Sequence, residues 1–417
     1  MRPFALIAVI IACSASTAIA ATDVVAPPPP KAPTAQGGFP LVARAADQIN
    51  PALVYSPLVD HYVVVWEDAY DGGATKSDIM AGFFGKDGGY LGGPIEIASG
   101  GDHARHRPNL VANESNADVL TVYEYDYSAT DIDVYASLML NNGPATSEFI
   151  IANSTAKERY PVVARNTISN EYLVVWQQWV GDVEFGTWDI YGRRVSANGL
   201  LAGGSIALKA GAYSQITPQV VFLTSRNQYA VMWADKAVPS YPRLYEQRFD
   251  ANLNKVGDEI NSTGFGANAN PNWVYNPIED EYVFVFENTS YGPPDSVDAY
   301  VTLNSLANGV GFGGPIVSPE PYDALQPAVT YNAAARNYAI VWEVAYNAND
   351  HDIYMELYEK FAPNSCCRTL GPIVVTNSGY WEANPAVASS PGKTSLVVWE
   401  DARDSSNGLD LYGALVW

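Results

Sequence analysis

The chain has 417 residues, of which 48% are hydrophobic, so it can form a large buried core and is not a disordered protein. Its 45 acidic residues against 23 basic ones give a net charge of −22. This balance excludes nucleic-acid binding, which requires a basic surface, and disfavours docking on anionic membranes. The acidic excess indicates solubility, with binding of divalent cations as the alternative explanation.

The first 20 residues have the three parts of a secretory signal peptide. Arg2 provides a positive charge, residues 4–12 form an apolar segment, and residues 18–20 (Ala-Ile-Ala) form a small-residue cleavage site. The alternative is a bacterial lipobox, in which Cys13 would carry a lipid anchor. Both routes predict a protein outside the cytoplasm, either secreted, at the cell surface or in the periplasm.

Residues 21–37 include four consecutive prolines and predict a stiff, extended tether. After the signal peptide no apolar stretch approaches about 18 residues, so we expect no transmembrane segment. The remaining cysteines, Cys366 and Cys367, are adjacent. A disulfide framework is therefore not expected, although export would allow one.

A repeated unit occupies the rest of the chain and is marked by a proline that recurs every 53 to 58 residues. After each proline come a short apolar run, a tight polar turn, and a second apolar run that ends in a large aromatic residue. The prolines are Pro51, Pro108, Pro161, Pro218, Pro271, Pro327 and Pro385, and the aromatic residues are Trp66, Tyr123, Trp176, Trp233, Phe286, Trp342 and Trp399. The second run is apolar without alternation, which predicts a strand buried on both faces.

Two further strands complete each unit. The third begins with an Asp-Ile-Tyr-like sequence in most units, and the fourth follows a glycine-rich turn, as at residues 94–97 and 372–375. Four short antiparallel strands in about 55 residues are typical of a propeller blade. We therefore predict an all-β fold, a seven-bladed β-propeller of four-stranded antiparallel blades spanning residues 38–417.

The seventh unit lacks a fourth strand after residues 409–417. Residues 37–42 have the fourth-strand pattern and precede Pro51 at nearly the usual distance. We predict that this N-terminal strand completes the last blade and closes the ring, because closure hides the edges of the first and last sheets.

The sequence Glu-Tyr-Leu-Val-Val-Trp (171–176), followed by Asp-Ile-Tyr-Gly (189–192), resembles the repeat of secreted bacterial β-propeller proteins and is loosely similar to TolB-type repeats. The resemblance covers residues 38–417. It implies a propeller in the cell envelope or outside the cell that serves as a binding or scaffold module. It carries over no catalytic residues.

Pairs of carboxylates flank the loop between the second and third strands in five units. The pairs are Glu67 with Asp78, Glu124 with Asp133, Glu287 with Asp298, Glu343 with Asp352, and Glu400 with Asp410. One such pair could act as acid and base in glycoside hydrolysis, but a catalytic pair is needed only once. Repetition favours a structural role, as acceptors of backbone N–H groups or partners across the hairpin, with cation binding as a further alternative.

His103 and His106 have a His-x-x-His spacing that would suit zinc on a helix. We place both in the loop before the second blade, which favours a solvated loop over a metal site. His351 is placed in a polar turn on the same reasoning.

The loops that join second to third strands, and those that join one blade to the next, share one face of a propeller and are the longer loops here. Aromatic residues in these loops are the candidate ligand-binding residues, because rings beside carboxylates and amides suit sugars or protein partners. Packing between blades is the alternative role. The candidates are Tyr70, Trp179, Trp188, Tyr213, Tyr291, Tyr380 and Trp381, with Glu382 beside the last two.

Together these features favour a non-enzymatic, monomeric binding or scaffold propeller that presents an extracellular glycan or protein on its loop-rich face and needs no cofactor. The first strands carry no convergent charged groups, which weakens the alternative of a polysaccharide-active hydrolase or lyase. A third possibility is a structural surface protein stabilised by Ca²⁺.

Overall fold

The computed structural model describes residues 38–417 except 70–75, 142, 183–184, 239–240, 264–266, 290–296, 307–310, 316–321, 361–366, 393, 405 and 407. The described residues form seven four-stranded antiparallel sheets and one short 3-10 helix, Thr224–Arg226. The prediction of a seven-bladed β-propeller is confirmed. In these ranges no helix is long and apolar enough to cross a membrane.

The first strand is β1 (Phe39–Val42). The strands after it follow in chain order, with four in each of blades 1 to 6 and three in blade 7. Blade 1 contains β2 (Asp47–Ser56), β3 (His61–Ala69), β4 (Asp78–Gly85) and β5 (Tyr90–Ala98). Blade 2 contains β6 (Arg105–Ala112), β7 (Val119–Ser128), β8 (Asp131–Met139) and β9 (Phe149–Ala152). Blade 3 contains β10 (Glu158–Asn166), β11 (Glu171–Val180), β12 (Thr187–Ser196) and β13 (Leu201–Lys209). Blade 4 contains β14 (Gln215–Leu223), β15 (Gln228–Asp235), β16 (Arg243–Asp250) and β17 (Lys255–Asn261). Blade 5 contains β18 (Asn268–Asn276), β19 (Glu281–Asn288), β20 (Asp298–Ser305) and β21 (Gly311–Pro315). Blade 6 contains β22 (Asp323–Asn332), β23 (Asn337–Asn347), β24 (Asp350–Lys360) and β25 (Cys367–Val374). Blade 7 contains β26 (Glu382–Ser389), β27 (Ser395–Asp401) and β28 (Asp410–Val416).

The first strand of each blade lies at the centre of the ring. The strands β2, β6, β10, β14, β18, β22 and β26 each contact the next one, and β26 contacts β2. The antiparallel order then defines two faces. The links between blades and the loops from second to third strands lie on one face, called the upper face, and the remaining turns lie on the lower face.

Strand β1 completes blade 7 as its outermost strand. It pairs antiparallel with β28, with Phe39 opposite Gly413 and Val42 opposite Leu411. The sheet order is β1-β28-β27-β26, so the N-terminal strand closes the ring as predicted. A Cβ atom on Gly38 would lie 2.9 Å from the Trp399 ring, so a larger residue would displace that ring where the strand enters.

The hydrophobic core lies between adjacent blades, in seven clusters of buried apolar residues. The aromatic residue that ends each second strand is at most 5% exposed and packs on the preceding blade. Trp176 joins Leu120 of blade 2, and Trp66 joins Leu396 and Val398 of blade 7, so the closing seam is packed like the others. The prediction of strands buried on both faces is therefore confirmed.

Two sequence predictions about histidines were wrong. His106 lies in β6 and not in a loop, because the innermost strands begin before their prolines. His351 lies near the start of β24, the third strand of blade 6, and not in a turn. The pairing register of β6 shifts between His106 and Asn109, so a β-bulge lets the strand continue across Pro108. Proline is tolerated there because β6 is an edge strand of its sheet.

Candidate binding site at the mouth of the central opening

The seven innermost strands surround an opening that contains a cavity of about 270 Å³. A second cavity of about 210 Å³ shares Arg107, Pro108, Gln326 and Pro385 with it as lining residues. The polar lining residues of the two cavities are Asn50, Arg107, Asn109, Tyr160, Thr217, Gln219, Asn270, Asn272, Gln326 and Asn384. Arg107 is the one charged residue among the described residues that line either cavity.

The residue before each repeated proline has a left-handed backbone conformation and faces this opening. The φ angles lie between 45° and 54°, at Asn50, Arg107, Tyr160, Thr217, Asn270, Gln326 and Asn384. Each of these seven bulge residues lies where the pairing register of its innermost strand shifts. Asparagine tolerates this conformation better than most residues, which explains its presence at three of the positions.

The residue after each second-strand aromatic holds the bulge of the following blade. Its side-chain oxygen accepts the backbone N–H of a bulge residue at 2.7 to 3.4 Å. The pairs are Arg107 with Glu67, Tyr160 with Glu124, Thr217 with Gln177, Gln326 with Glu287, Asn384 with Glu343, and Asn50 with Glu400. The structural interpretation of the repeated glutamates, as acceptors of backbone N–H groups, is confirmed. In blade 4 the equivalent residue is Ala234, which has no side-chain acceptor.

Burial raises the pKa of two of these glutamates, Glu400 and Glu287. It raises the pKa of Glu400 to about 7, and the negative charges of Glu343 and Glu67 add to the effect. It also raises the pKa of Glu287. Glu400 accepts hydrogen bonds from Asn50 and Asn384, both of which line the second cavity, so a carboxyl that is partly protonated near neutrality lies just behind the mouth.

Two arginines bring positive charge to the side of the mouth formed by blades 2 and 3. Glu124 is fully buried, and it accepts a hydrogen bond from Nε of Arg159 at 2.9 Å. The Nε atom of Arg107 lies 4.0 Å from the same carboxylate. The Arg107 guanidinium covers the Tyr160 ring, with 4.7 Å between Cζ and the ring centroid. The Glu124 carboxylate therefore has the guanidinium groups of both Arg107 and Arg159 within 4.0 Å.

His106 forms ion pairs with two carboxylates inside the structure. Its Nδ1 lies 2.6 Å from Glu67, and its Nε2 lies 3.4 Å from Asp126. Burial disfavours the charged ring, but the hydrogen bonds to Asp126 and Glu67 outweigh it and raise the pKa to about 10. Within the described ranges no group of three or more His, Cys, Asp or Glu side chains is arranged to hold a metal ion.

A second set of carboxyls is buried where blades meet. Between blades 2 and 3, burial raises the pKa of Asp133 to about 6 and that of Glu158 to about 7. Between blades 6 and 7, burial raises the pKa of Asp352 to about 6 and that of Glu382 to about 7. Each of these four groups keeps its proton to a higher pH than it would in water, because little solvent reaches its charged form.

The predicted aromatic residues of blades 3 and 4 lie together on the upper face. Trp179 and Trp188 are paired across β11 and β12, with their ring centroids 5.3 Å apart and their planes nearly perpendicular. Both are partly exposed, and Nε1 of Trp179 donates to the carbonyl oxygen of Asp182 at 3.0 Å. Tyr213, in the link to blade 4, is 54% exposed.

The predicted residues of blades 6 and 7 form a separate group. Tyr380 is 49% exposed, and the Trp381 ring lies 5.9 Å from the ring of His351. Glu382 is fully buried, and its carboxylate accepts a hydrogen bond from Arg403 at 3.0 Å, so it is not offered to a ligand at the surface. Tyr70 and Tyr291 lie outside the described residues. None of the described candidates lines either cavity.

Sequence reasoning missed the bulge residues, above all Arg107. It used the repeated proline only as a landmark and did not single out Arg107. Alignment on the residue before each proline would have shown a uniformly polar column, with a single charge at position 107.

No family model matches this chain, and no curated protein matches it in sequence. Among solved structures, it is similar to a protein of unknown function from Dyadobacter fermentans, at 8% identity and a TM-score of 0.51, over 91% of this chain and 99% of that one. It is also similar to an α-L-arabinofuranosidase of Fusarium graminearum, at 14% identity and a TM-score of 0.48, over 75% and 92% of the two chains. The NanB sialidase of Streptococcus pneumoniae is similar at 11% identity and a TM-score of 0.48, over 90% and 70%. At 8% identity, the similarity to the Dyadobacter fermentans protein shows a shared fold alone.

Proposed function

We propose that this chain is a non-enzymatic binding propeller that acts outside the cytoplasm and holds a glycan at the upper mouth of its central opening. The observation that carries the proposal is the ring of seven bulge residues around that mouth. Their side chains offer amide, hydroxyl, phenol and guanidinium groups, which can hydrogen-bond the hydroxyls of a sugar. The predicted export signal in residues 1–20 supports an extracellular ligand.

The engagement of the nearby carboxylates favours binding over hydrolysis. Glycoside hydrolysis uses one carboxyl as acid and a second as base or nucleophile, about 5–10 Å apart. Here Glu67, Glu124 and Glu287 each accept a backbone N–H from the next blade. A carboxylate that joins two blades cannot move toward a substrate without breaking that hydrogen bond, so its position serves the ring.

Exposed aromatic residues on the upper face support a longer ligand. Tyr213 and Tyr380 are each about half exposed and lie in links between blades. A ring in such a position provides apolar area with a polar edge, which suits contact with further sugar units. We therefore assign the first sugar to the mouth and additional sugars to these rings.

We expect replacement of Gln326 by glycine to weaken glycan binding roughly three- to tenfold, the effect of one lost hydrogen bond. Glycine accepts the φ of 49° at this position, so the bulge is kept while the side chain is removed. The measurement is titration calorimetry on ligands from a glycan array. Asn227→Gly is the matched control, because Asn227 has a φ of 51° in a lower-face turn.

Two results would count against this proposal. One is the absence of any bound glycan at millimolar concentration with the unmodified protein. The other is an equal loss of affinity in the Gln326→Gly and Asn227→Gly variants.

Removal of both upper-face rings by Tyr213→Ala and Tyr380→Ala should weaken the binding of long glycans while leaving the binding of monosaccharides unaffected.

A polysaccharide-active hydrolase is the second candidate, and the ionisation of Glu400 is the observation that favours it. A carboxyl with a pKa of about 7 beside the opening has the property of a general acid. If the protein releases reducing ends from a polysaccharide panel, Glu400→Gln should abolish that release. No release by the unmodified protein would remove this candidate.

A further inference from the structure

We infer that the bound glycan ends in a sugar that carries a carboxylate, and that the guanidinium of Arg107 holds this carboxylate. The inference rests on the proposed glycan-binding function and adds to it the chemical class and the orientation of the ligand. It depends on the contacts that Arg107 makes, on those that it lacks, and on the neutrality of the other lining residues.

Arg107 keeps hydrogen-bond donors free at the mouth. Its Nε is 4.0 Å from Glu124, which is too far for a hydrogen bond. Among the described residues, no protein group accepts a hydrogen bond from its Nη1 or Nη2 atoms, and its guanidinium lies over the Tyr160 ring. The side chain is 38% exposed and lines both cavities, so the free donors face the opening.

Contact with the Tyr160 ring holds the Arg107 guanidinium at the mouth. A guanidinium covering an aromatic ring at 4.7 Å gains a cation–π interaction and keeps its in-plane N–H groups available. Two parallel N–H donors in one plane match the two oxygens of a carboxylate, which is the geometry of bidentate recognition. A hydroxyl group would use only one of these donors.

Arg107 shares its nearest carboxylate with a second cation. The Glu124 carboxylate is already paired with Arg159 at 2.9 Å and with the Tyr160 N–H. Every other described residue that lines the two cavities is neutral. A ligand carboxylate in the opening would therefore meet one charged side chain among the described lining residues, the Arg107 guanidinium.

The remaining donors suit sugar hydroxyls. Oδ1 of Asn109 accepts the Val163 N–H at 3.1 Å, and Oδ1 of Asn272 accepts the Val329 N–H at 3.0 Å. These bonds fix both amides and leave their Nδ2 donors free within the described contacts. Asn109 and Asn272 belong to blades 2 and 5, so hydroxyls on two sides of a ring can be bound.

Size and net charge favour a ligand with one acidic sugar. A cavity of about 270 Å³ is smaller than the ~300–1,000 Å³ of typical drug-sized sites, which suits a single sugar residue. The net charge of −22 would repel a polymer with many carboxylates. An otherwise neutral glycan with one terminal sugar acid meets both conditions.

The test compares trisaccharides that are identical except for a terminal glucuronate, galacturonate or glucose. We expect the unmodified protein to bind one of the two acidic forms at least tenfold more tightly than the neutral form, because a charged hydrogen-bonded pair contributes about that factor. Arg107→Asn should remove the selectivity, so that the acidic and neutral forms bind this variant with equal affinity. Asparagine occupies the same left-handed position in three other blades, so this variant is expected to fold.

Lys255→Gln is the control for net charge, since Lys255 is exposed in β17 and lines neither cavity. Equal affinity for acidic and neutral forms, or unchanged selectivity in Arg107→Asn, would overturn the inference and leave the proposed function intact. If none of the trisaccharides binds, both fail. Binding of a peptide through its free C-terminal carboxylate, with loss in Arg107→Asn and no glycan binding, would also overturn both.

Discussion

Deletion of residues 38–44 should make this protein aggregate. These residues include β1, the outermost strand of blade 7. Without β1, the N–H and C=O groups of β28 that now pair with it would be exposed at a sheet edge, which promotes association with other chains. Leu41 and Val42 also leave the cluster that joins blades 7 and 1, so the seam would lose apolar contact on the outer side.

Size-exclusion chromatography and thermal unfolding measure this effect. Removal of residues 29–35 from the proline-rich segment is the matched control and should leave both measurements unchanged. Since the deletion removes so much, Leu41→Ala gives a milder version: Leu41 is 9% exposed, and we expect a loss of about 2–5 kcal/mol in the free energy of unfolding. A monomeric, cooperative transition in the 38–44 deletion would show that the ring does not need β1.

The free energy of unfolding should be higher at pH 5 than at pH 8. Asp133, Glu158, Asp352, Glu382 and Glu400 all have a pKa of about 6 or 7 in the folded protein, raised chiefly by burial. In the unfolded chain these groups return to about 4. Between pH 4 and pH 7 the folded state therefore binds more protons than the unfolded state. The contribution of these groups to the free energy of unfolding is greatest below pH 4, and it is lost as the pH rises through 7.

Glu158→Gln isolates one of these groups. The amide cannot ionise, so this variant should lose part of the decrease between pH 5 and pH 8 and gain about 1–2 kcal/mol relative to the unmodified protein at pH 8. Glu114→Gln is the control, because Glu114 is exposed on the lower face. Denaturant unfolding at several pH values measures both variants. A stability that rises between pH 5 and pH 8 would contradict the prediction.

The fold could be predicted because its determinants repeat. An aromatic residue such as Trp176 occupies the same buried position in every blade, and seven occurrences of one pattern leave few alternatives. The closing strand was predictable for the same reason, since a missing fourth strand at one end and an extra one at the other can satisfy each other. Local apolar patterning and the need to cover sheet edges were sufficient.

The mouth could not be predicted in the same way, because its residues share a backbone conformation and not a residue type. Asn50, Arg107 and Tyr160 have little chemistry in common, yet each has a positive φ angle in the bulge of its own innermost strand. His106 was misplaced for a related reason: the bulge extends β6 across a proline that ordinarily interrupts a strand. The predicted aromatic residues were chosen for their loops, whereas the opening is lined by residues at the upper ends of strands.

The direction of β1 also determines on which face the described chain begins. Strand β28 runs from the upper to the lower face, and β1 is antiparallel to it, so the described chain enters the ring from below at Phe39. Its first strand therefore starts on the face opposite the mouth at which we propose that a glycan binds.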